Sequence, residues 1–366
     1  EGQVGRQTPT DLLLEKSMAQ QRAIEFDVLK GIAILLVVIG HVYRTSLQGA
    51  YSALEDIIYT VHMPLFVLVS GYFTQRPPTL TRYGVYSYWK GKVLRLLLPL
   101  LFIAELHSII TSGEVGLPLQ SMVGAYWFTY ALFLIFGVSF FVQGVLHLLL
   151  SSVQKKEQTQ NLYTKLYVAG LFLSAVIAEL LIAYLYTLNS RLCNGLVLYK
   201  IAHLYKYLVL GHIIGKYHNL NEALRSEIAG VIGFIGFCVL FLIRALGYTF
   251  PLQDTLLTTL GLGFIYSATC QAIATGHEDK KWIKVLSYLG RISLPIYFIH
   301  YFFLPDLAFL RSYEETLSST PIAQFAFQAI LGLATSGIVL VPTLLLISIT
   351  RINKYLRFLL YGEPLS

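Results

Sequence analysis

The stretch Leu29-Lys30-Gly31-Ile32-Ala33-Ile34-Leu35-Leu36-Val37-Val38-Ile39-Gly40-His41 is apolar apart from a cation at its start and an imidazole at its end. It opens a run over Leu29–Leu47 that reaches the ~18 residues a bilayer-crossing helix needs. Similar runs recur near Ile57–Phe73, Val93–Thr111, Ser121–Leu150, Leu166–Leu188, Leu196–Tyr217, Ile228–Leu246, Leu256–Thr275, Val285–Leu304 and Ile322–Ile352. The 366 residues are 55% hydrophobic and 14% aromatic, with only 13% charged. A soluble domain carries roughly a quarter charged residues and cannot expose this much apolar surface. Hydrocarbon admits only helices or closed barrels, and strands of alternating polarity are absent from the sequence. The expected fold is therefore all-α: a polytopic transmembrane helical bundle of about ten spans.

The net charge of +7 does not indicate nucleic acid, because the cations sit in short loops between apolar runs rather than in one patch. One side of the membrane receives Arg6, Lys16, Arg22 and Lys30, then Arg76, Arg82, Lys90, Lys92 and Arg95, then Lys155, Lys156 and Lys165. Lys216 and Arg225, the group Lys280, Lys281, Lys284 and Arg291, and finally Arg351, Lys354 and Arg357 continue that side. The other side has Arg44, Arg191, Arg244 and Arg311. Both termini are expected in the cytoplasm. Residues 1–28 read as a polar cytoplasmic tail, 29–352 as the membrane-embedded unit, and 353–366 as a short cytoplasmic tail. The polar start lacks the early apolar core of a secretory signal, so the first run is expected to be an uncleaved anchor. Cys193, Cys238 and Cys270 are far apart and without metal-ligand spacing, so no metal is expected.

Ionisable groups inside a span are costly, by about 2.5–3.5 kcal/mol on insertion scales, and are functional hypotheses by default. From Lys30 to His41 a helix advances about 16 Å and turns about 1100 degrees, which returns to nearly the same face. Lys30 would sit at the cytoplasmic mouth and His41 deep in the bilayer. The plain alternative has Lys30 snorkelling to headgroups and His41 satisfied in helix packing. Counted by depth, His62, Glu105, His107, Trp127, His203, Lys206 and His300 fall in the same outer layer as His41. Singly, Trp127 suits an interfacial belt, and His107 and His300 suit headgroup contact. Their concentration in one slab points instead to a binding site open to the outside. On the cytoplasmic side, Lys92-x-x-Arg95 runs into the third span on one helical face, a cationic pair suited to a phosphate-bearing ligand.

The sequence resembles the acyltransferase-three family of membrane proteins, in particular its sugar and polysaccharide O-acetyltransferase members. Four stretches carry the resemblance: Phe26-Asp27-Val28-Leu29-Lys30-Gly31 through His41; His62-Met63-Pro64-Leu65-Phe66 with Ser70-Gly71-Tyr72; Lys92-Val93-Leu94-Arg95 through Pro99; and Tyr126-Trp127-Phe128 with Ala131-Leu132-Phe133. Two weaker ones follow at Leu208-Val209-Leu210-Gly211 and Ser293-Leu294-Pro295-Ile296-Tyr297-Phe298-Ile299-His300. The resemblance implies an integral enzyme, expected in a bacterial cytoplasmic membrane, that takes acetyl from acetyl-CoA on the cytoplasmic side. It would deliver the group to a hydroxyl of a glycan or lipid-linked sugar outside. Where the family's first-span motif has an arginine ten residues before its histidine, this chain has Lys30 before His41. Lysine also replaces the first arginine of the family's paired motif, at Lys92, which keeps the charge but loses the planar fork.

The site expected from these readings has His41 as catalytic base or acyl carrier and Glu105 orienting it. Lys30, Lys92 and Arg95 would hold acyl-CoA, while His62, Trp127, His203, Lys206 and His300 would line the acceptor site. A hydroxyl is a poor nucleophile at neutral pH, and a neutral imidazole beside it can take its proton. A competing class is an exporter of a polysaccharide or small organic acid with the polar slab as its binding site. That reading calls for breaks in corresponding halves of the chain, and Pro64, Pro99 and Pro295 do not pair in that way.

Overall fold

Backbone amides in hydrocarbon have no water to bond, so each apolar run must close its own hydrogen bonds, and among the described residues all regular structure is helical. The computed structural model describes residues 9–47, 53–74, 81–113, 124–151, 160–276, 279–310 and 320–365. Arg6, Arg76, Lys155, Lys156, Arg311 and the start of the run at Ser121 lie outside them, as do the side chains of Lys16 and Arg22. The helices of seven or more residues are α1 (Pro9–His41), α2 (Ala53–Tyr72), α3 (Arg82–Lys92), α4 (Leu98–Ser112), α5 (Trp127–Leu149) and α6 (Gln160–Leu188). They continue as α7 (Leu198–Lys216), α8 (His218–Arg225), α9 (Glu227–Ala245), α10 (Gln253–Ala274), α11 (Lys281–Arg291), α12 (Ser293–Ile299), α13 (Pro321–Ile352) and α14 (Lys354–Tyr361).

Eight helices among the described residues are long and apolar enough to cross a membrane. They present side chains such as Phe102, Leu180, Ile232, Val341 and Ile349 outward, where only lipid can satisfy them. Two of the expected spans differ. The run at Leu196–Tyr217 does fold as a helix, α7, but carries Lys200, Lys206 and Lys216 and lies largely inside the bundle, with Tyr205, Tyr207, Leu208 and Val209 buried. The run at Val285–Leu304 is broken after Arg291 into α11, α12 and a 3-10 turn at His300–Phe303. Pro295 is the reason: it has no N–H, and its ring collides with the carbonyl four residues back, at Arg291. Helix α1 begins at Pro9 and runs through residue 28 without interruption.

Helix α1 lies at the heart of the bundle, with Phe26, Leu29, Ala33, Ile34, Val37 and Val38 buried. Between helices in lipid there is little hydrophobic drive, so close backbone approach at small residues carries the packing. A β-carbon on Gly31 would stand 2.0 Å from the Leu286 carbonyl oxygen, and one on Gly290 would stand 1.7 Å from that of Asp27. Helices α1 and α11 therefore meet backbone to backbone. Helices α2 and α7 cross in the same manner, with Gly71 against Leu208 and Gly211 against Leu68.

The middle of α1 is tied down by polar groups. Glu25 is fully buried and accepts a two-pronged contact from Arg225 of α8, with Nη1 donating at 2.8 Å. Beside it, Tyr266 donates to Asn221 at 2.7 Å, and Asn221 donates to the Tyr72 hydroxyl at 3.3 Å. Removing one partner of such a buried pair costs about 3–5 kcal/mol, so α1 is held in register along its length. Gly71→Ala and Gly211→Ala should each force α2 and α7 apart and destabilise by about 1–3 kcal/mol, the usual cost of overpacking. A fall of several degrees in the unfolding midpoint of the detergent-solubilised protein is expected, and unchanged midpoints would refute the contact.

Candidate active site

His41 closes the last α-helical turn of α1, and the backbone then widens into a π-helical turn over Val42–Ser46. Such single π turns recur at functional sites because they re-aim the side chains around them. A second one, Val93–Leu97, lies between α3 and α4 directly before Pro99, which cannot donate to the Arg95 carbonyl. The two π turns thus fall at the two ends of the chemistry read from the sequence, beside His41 and between Lys92 and the third span.

The break before α12 brings His300 against His41. His300 is wholly buried, and its Nε2 lies 2.8 Å from His41 Nδ1, with the two rings nearly parallel at 4°. His300 Nδ1 lies 2.9 Å from the Ile296 carbonyl oxygen. A carbonyl only accepts, so with neutral rings His300 carries its proton on Nδ1 and presents a lone pair at Nε2. His41 must then donate from Nδ1, which leaves its own Nε2 unprotonated. That nitrogen lies 3.1 Å from the Tyr301 hydroxyl, which donates to the Ala125 carbonyl at 3.0 Å. Tyr301 has one proton for two acceptors, the Ala125 carbonyl and Nε2, so turning it to Ala125 frees the Nε2 lone pair for another donor.

His41 and Tyr301 form part of the wall of a cavity of about 740 Å³. His62, Trp127 and His203 also line it, so these three expected residues converge on the same space as His41. His62 repeats the logic of His300: its Nδ1 contacts the Ile58 carbonyl at 2.6 Å, which directs the Nε2 lone pair elsewhere. Residues that the sequence reading did not single out for the site also line the cavity, among them Tyr301, Tyr59, Arg44 and Lys200.

Three expectations change. His300 does not line the cavity but stands behind His41, hydrogen-bonded to its Nδ1. Glu105 takes no part in orienting His41, whose Nδ1 is held by His300; among the described residues both Glu105 carboxylate oxygens are buried without a hydrogen-bond partner. Lys206 is committed to Glu179 and Thr255, each at 2.7 Å, and lines a neighbouring cavity of about 390 Å³. Lys30, expected at the mouth opposite His41, is paired with Asp27 at 2.7 Å and remains partly exposed. On the face of Lys92 and Arg95, the Lys92 ammonium sits 3.3 Å from the Phe136 ring centroid, while Arg95 makes no ion pair among the described residues. The guanidinium is the better placed of the two for a phosphate. Among the described residues no three His, Cys, Asp or Glu side chains gather to hold a metal ion.

A family model described as an acyltransferase domain matches residues 24–347. The Nodulation protein NolL of Sinorhizobium fredii is 34% identical over 129 residues, covering 31% of this chain and 34% of that protein. NolL of Mesorhizobium japonicum is 33% identical over 131 residues, again covering 31% of this chain and 34% of its own length. The chain thus matches about a third of these curated relatives. No solved structure matches.

The proton order along Ile296, His300 and His41 is directly measurable. In histidine-labelled protein, nitrogen NMR should find His41 protonated at Nδ1 and bare at Nε2, and His300→Ala should abolish that preference. A His41 protonated at Nε2 in the unaltered protein would contradict the arrangement.

Proposed function

The chain belongs to the acyltransferase 3 family, and from that premise we propose which acyl group it moves, between which partners and with which residues. It is an integral membrane acyltransferase. In our reading it carries acetyl from acetyl-CoA on the cytoplasmic side to a hydroxyl of a glycan or lipid-linked sugar outside. The bundle has ten spans, α7 and the broken α11–α12 segment joining the eight apolar helices, with both termini cytoplasmic. The asymmetry of lysine and arginine between the two sides supports that orientation.

The observation that carries the reading is the bare Nε2 of His41 at the wall of the 740 Å³ cavity, with its tautomer set from behind by His300. An acceptor hydroxyl donates to this nitrogen. As its oxygen attacks the thioester carbonyl, the proton passes to Nε2 and a C–O bond forms. The tetrahedral intermediate then expels the CoA sulfur, the C–S bond breaks, and the imidazolium returns the proton to the thiolate. His300 accepts from Nδ1–H of His41 throughout, so the positive ring that forms midway keeps its hydrogen bond. This is the part a carboxylate plays behind the histidine of a serine hydrolase. A flat sugar face suits Trp127, and His62 Nε2 suits a second sugar hydroxyl. Arg95, with Lys92 beside it, is the proposed grip on the phosphates of the donor.

General-base catalysis contributes about 10²–10⁴-fold, so His41→Ala should lose at least that factor while the protein still inserts and folds. His300→Ala should lower kcat with little effect on KM for acetyl-CoA, because it touches neither substrate. Mass spectrometry of the host's surface glycans, with immunoblots for protein level, reads the first; detergent-phase kinetics read the second. An active His41→Ala protein would end the assignment.

A further inference from the structure

Topology leaves few cations on the outer face of this chain, since Lys and Arg gather on the opposite side. Two of those few, Arg44 and Arg244, nevertheless converge on the His41 cavity, joined there by Lys200 of α7. Arg244 has a carboxylate for company, Asp254, with Nη1 3.4 Å from Oδ1. Arg44 and Lys200 form no ion pair among the described residues. The Arg44 guanidinium stands 5.4 Å from the Tyr59 ring centroid, and the Lys200 ammonium stands 4.0 Å from that of Trp127. The two cations are near enough across the cavity to feel each other's charge. Asp56 also faces the space, so the wall carries three fixed cations against two carboxylates.

Arg44 is exposed and Lys200 half-buried, and two like charges on the wall of one cavity carry a modest repulsion. It is relieved when an anion enters between them. Arg44 is also only three residues beyond the catalytic His41, inside the π-helical turn that follows it. An anion held there lies in the same cavity as the hydroxyl to be acylated. A neutral sugar would need hydrogen-bonding and stacking groups but no such pair. A forked guanidinium and a compact ammonium together fit an oxyanion with several oxygens.

We propose that the acceptor is an anionic sugar, and that Arg44 and Lys200 form the subsite for its phosphate or carboxylate group. The proposal rests on the acyltransferase reading above for the meaning of the cavity, but its test does not depend on turnover. Glucose 1-phosphate, glucuronate and methyl glucoside are titrated into the full chain in lipid nanodiscs, and binding is followed calorimetrically. The two anions should bind at least tenfold more tightly than methyl glucoside, and added salt should erode that difference. Arg44→Gln and Lys200→Gln should each remove most of the anion preference and leave methyl glucoside unaffected, while Arg44→Lys and Lys200→Arg should restore part of it. Tighter binding of glucose 1-phosphate marks a phosphate-bearing acceptor, and tighter binding of glucuronate a carboxylate-bearing one. Equal binding of the neutral sugar, or indifference of folded variants to the lost charge, would overturn the subsite. If Arg44→Gln does not fold, Lys200→Gln and the unaltered protein still decide. His41→Ala separates the two claims: it should bind the anions as the unaltered protein does while failing to transfer. Anion preference with an active His41→Ala sinks the catalytic assignment alone; an inactive His41→Ala without anion preference sinks the subsite alone.

Discussion

The carbonyl oxygen of Ile296 sets the direction of every proton at the centre of this molecule. It can only accept, so it orders His300, which in turn orders His41, and the bare nitrogen at the end of the chain is delivered to the cavity. Nothing in the sequence around His41 alone would achieve this. The order depends on α12 ending beside α1, and α12 is a separate helix because Pro295 stops the one before it. A continuous ninth span would have no such reason to turn its histidine toward the first.

The rest of the bundle keeps that meeting point fixed. Gly31 and Gly290 let α1 and α11 touch backbone to backbone, and α12 follows α11 directly, so the same helix pair that packs at Gly31 carries His300 toward His41. The buried Glu25–Arg225 pair secures the middle of α1. Helix breaks and π turns are tolerated in a membrane only where neighbouring protein or a cavity satisfies the freed backbone, and the π turn after His41 and the break before α12 lie beside the cavity or within the bundle. The local departures from ideal helix therefore coincide with the chemistry.

Much of this was legible in the sequence, for identifiable reasons. Apolar runs of bilayer length report themselves, and depth along a helix is simple counting; that was enough to bring His41, His62, Trp127 and His203 into one layer, and they share one cavity. Depth says nothing about direction around the helix axis. Hence His300 was read as lining the site when it stands behind it, and Glu105 was read as a partner of a ring it does not touch. His41 and His300 are 259 residues apart, and their contact follows from how helices cross, which no local pattern encodes. Lys206 was misread for a related reason: its counter-ion, Glu179, sits on a different helix, α6. The motif glycines Gly31, Gly71 and Gly211 carried the family resemblance without revealing their work, which is to let helices cross at contact distance.

The central claim is that one imidazole nitrogen, facing a cavity open to the acceptor side, is also reached by the donor's thioester. A cryo-EM map of the chain bound to an unreactive thioether analogue of acetyl-CoA tests it most directly. The account predicts the nucleotide on the Arg95 side of the bundle and the acyl end within about 4 Å of His41 Nε2, close to a reactive approach of about 3–3.5 Å. An acyl group lodged away from that nitrogen, with no passage joining the two, would contradict it.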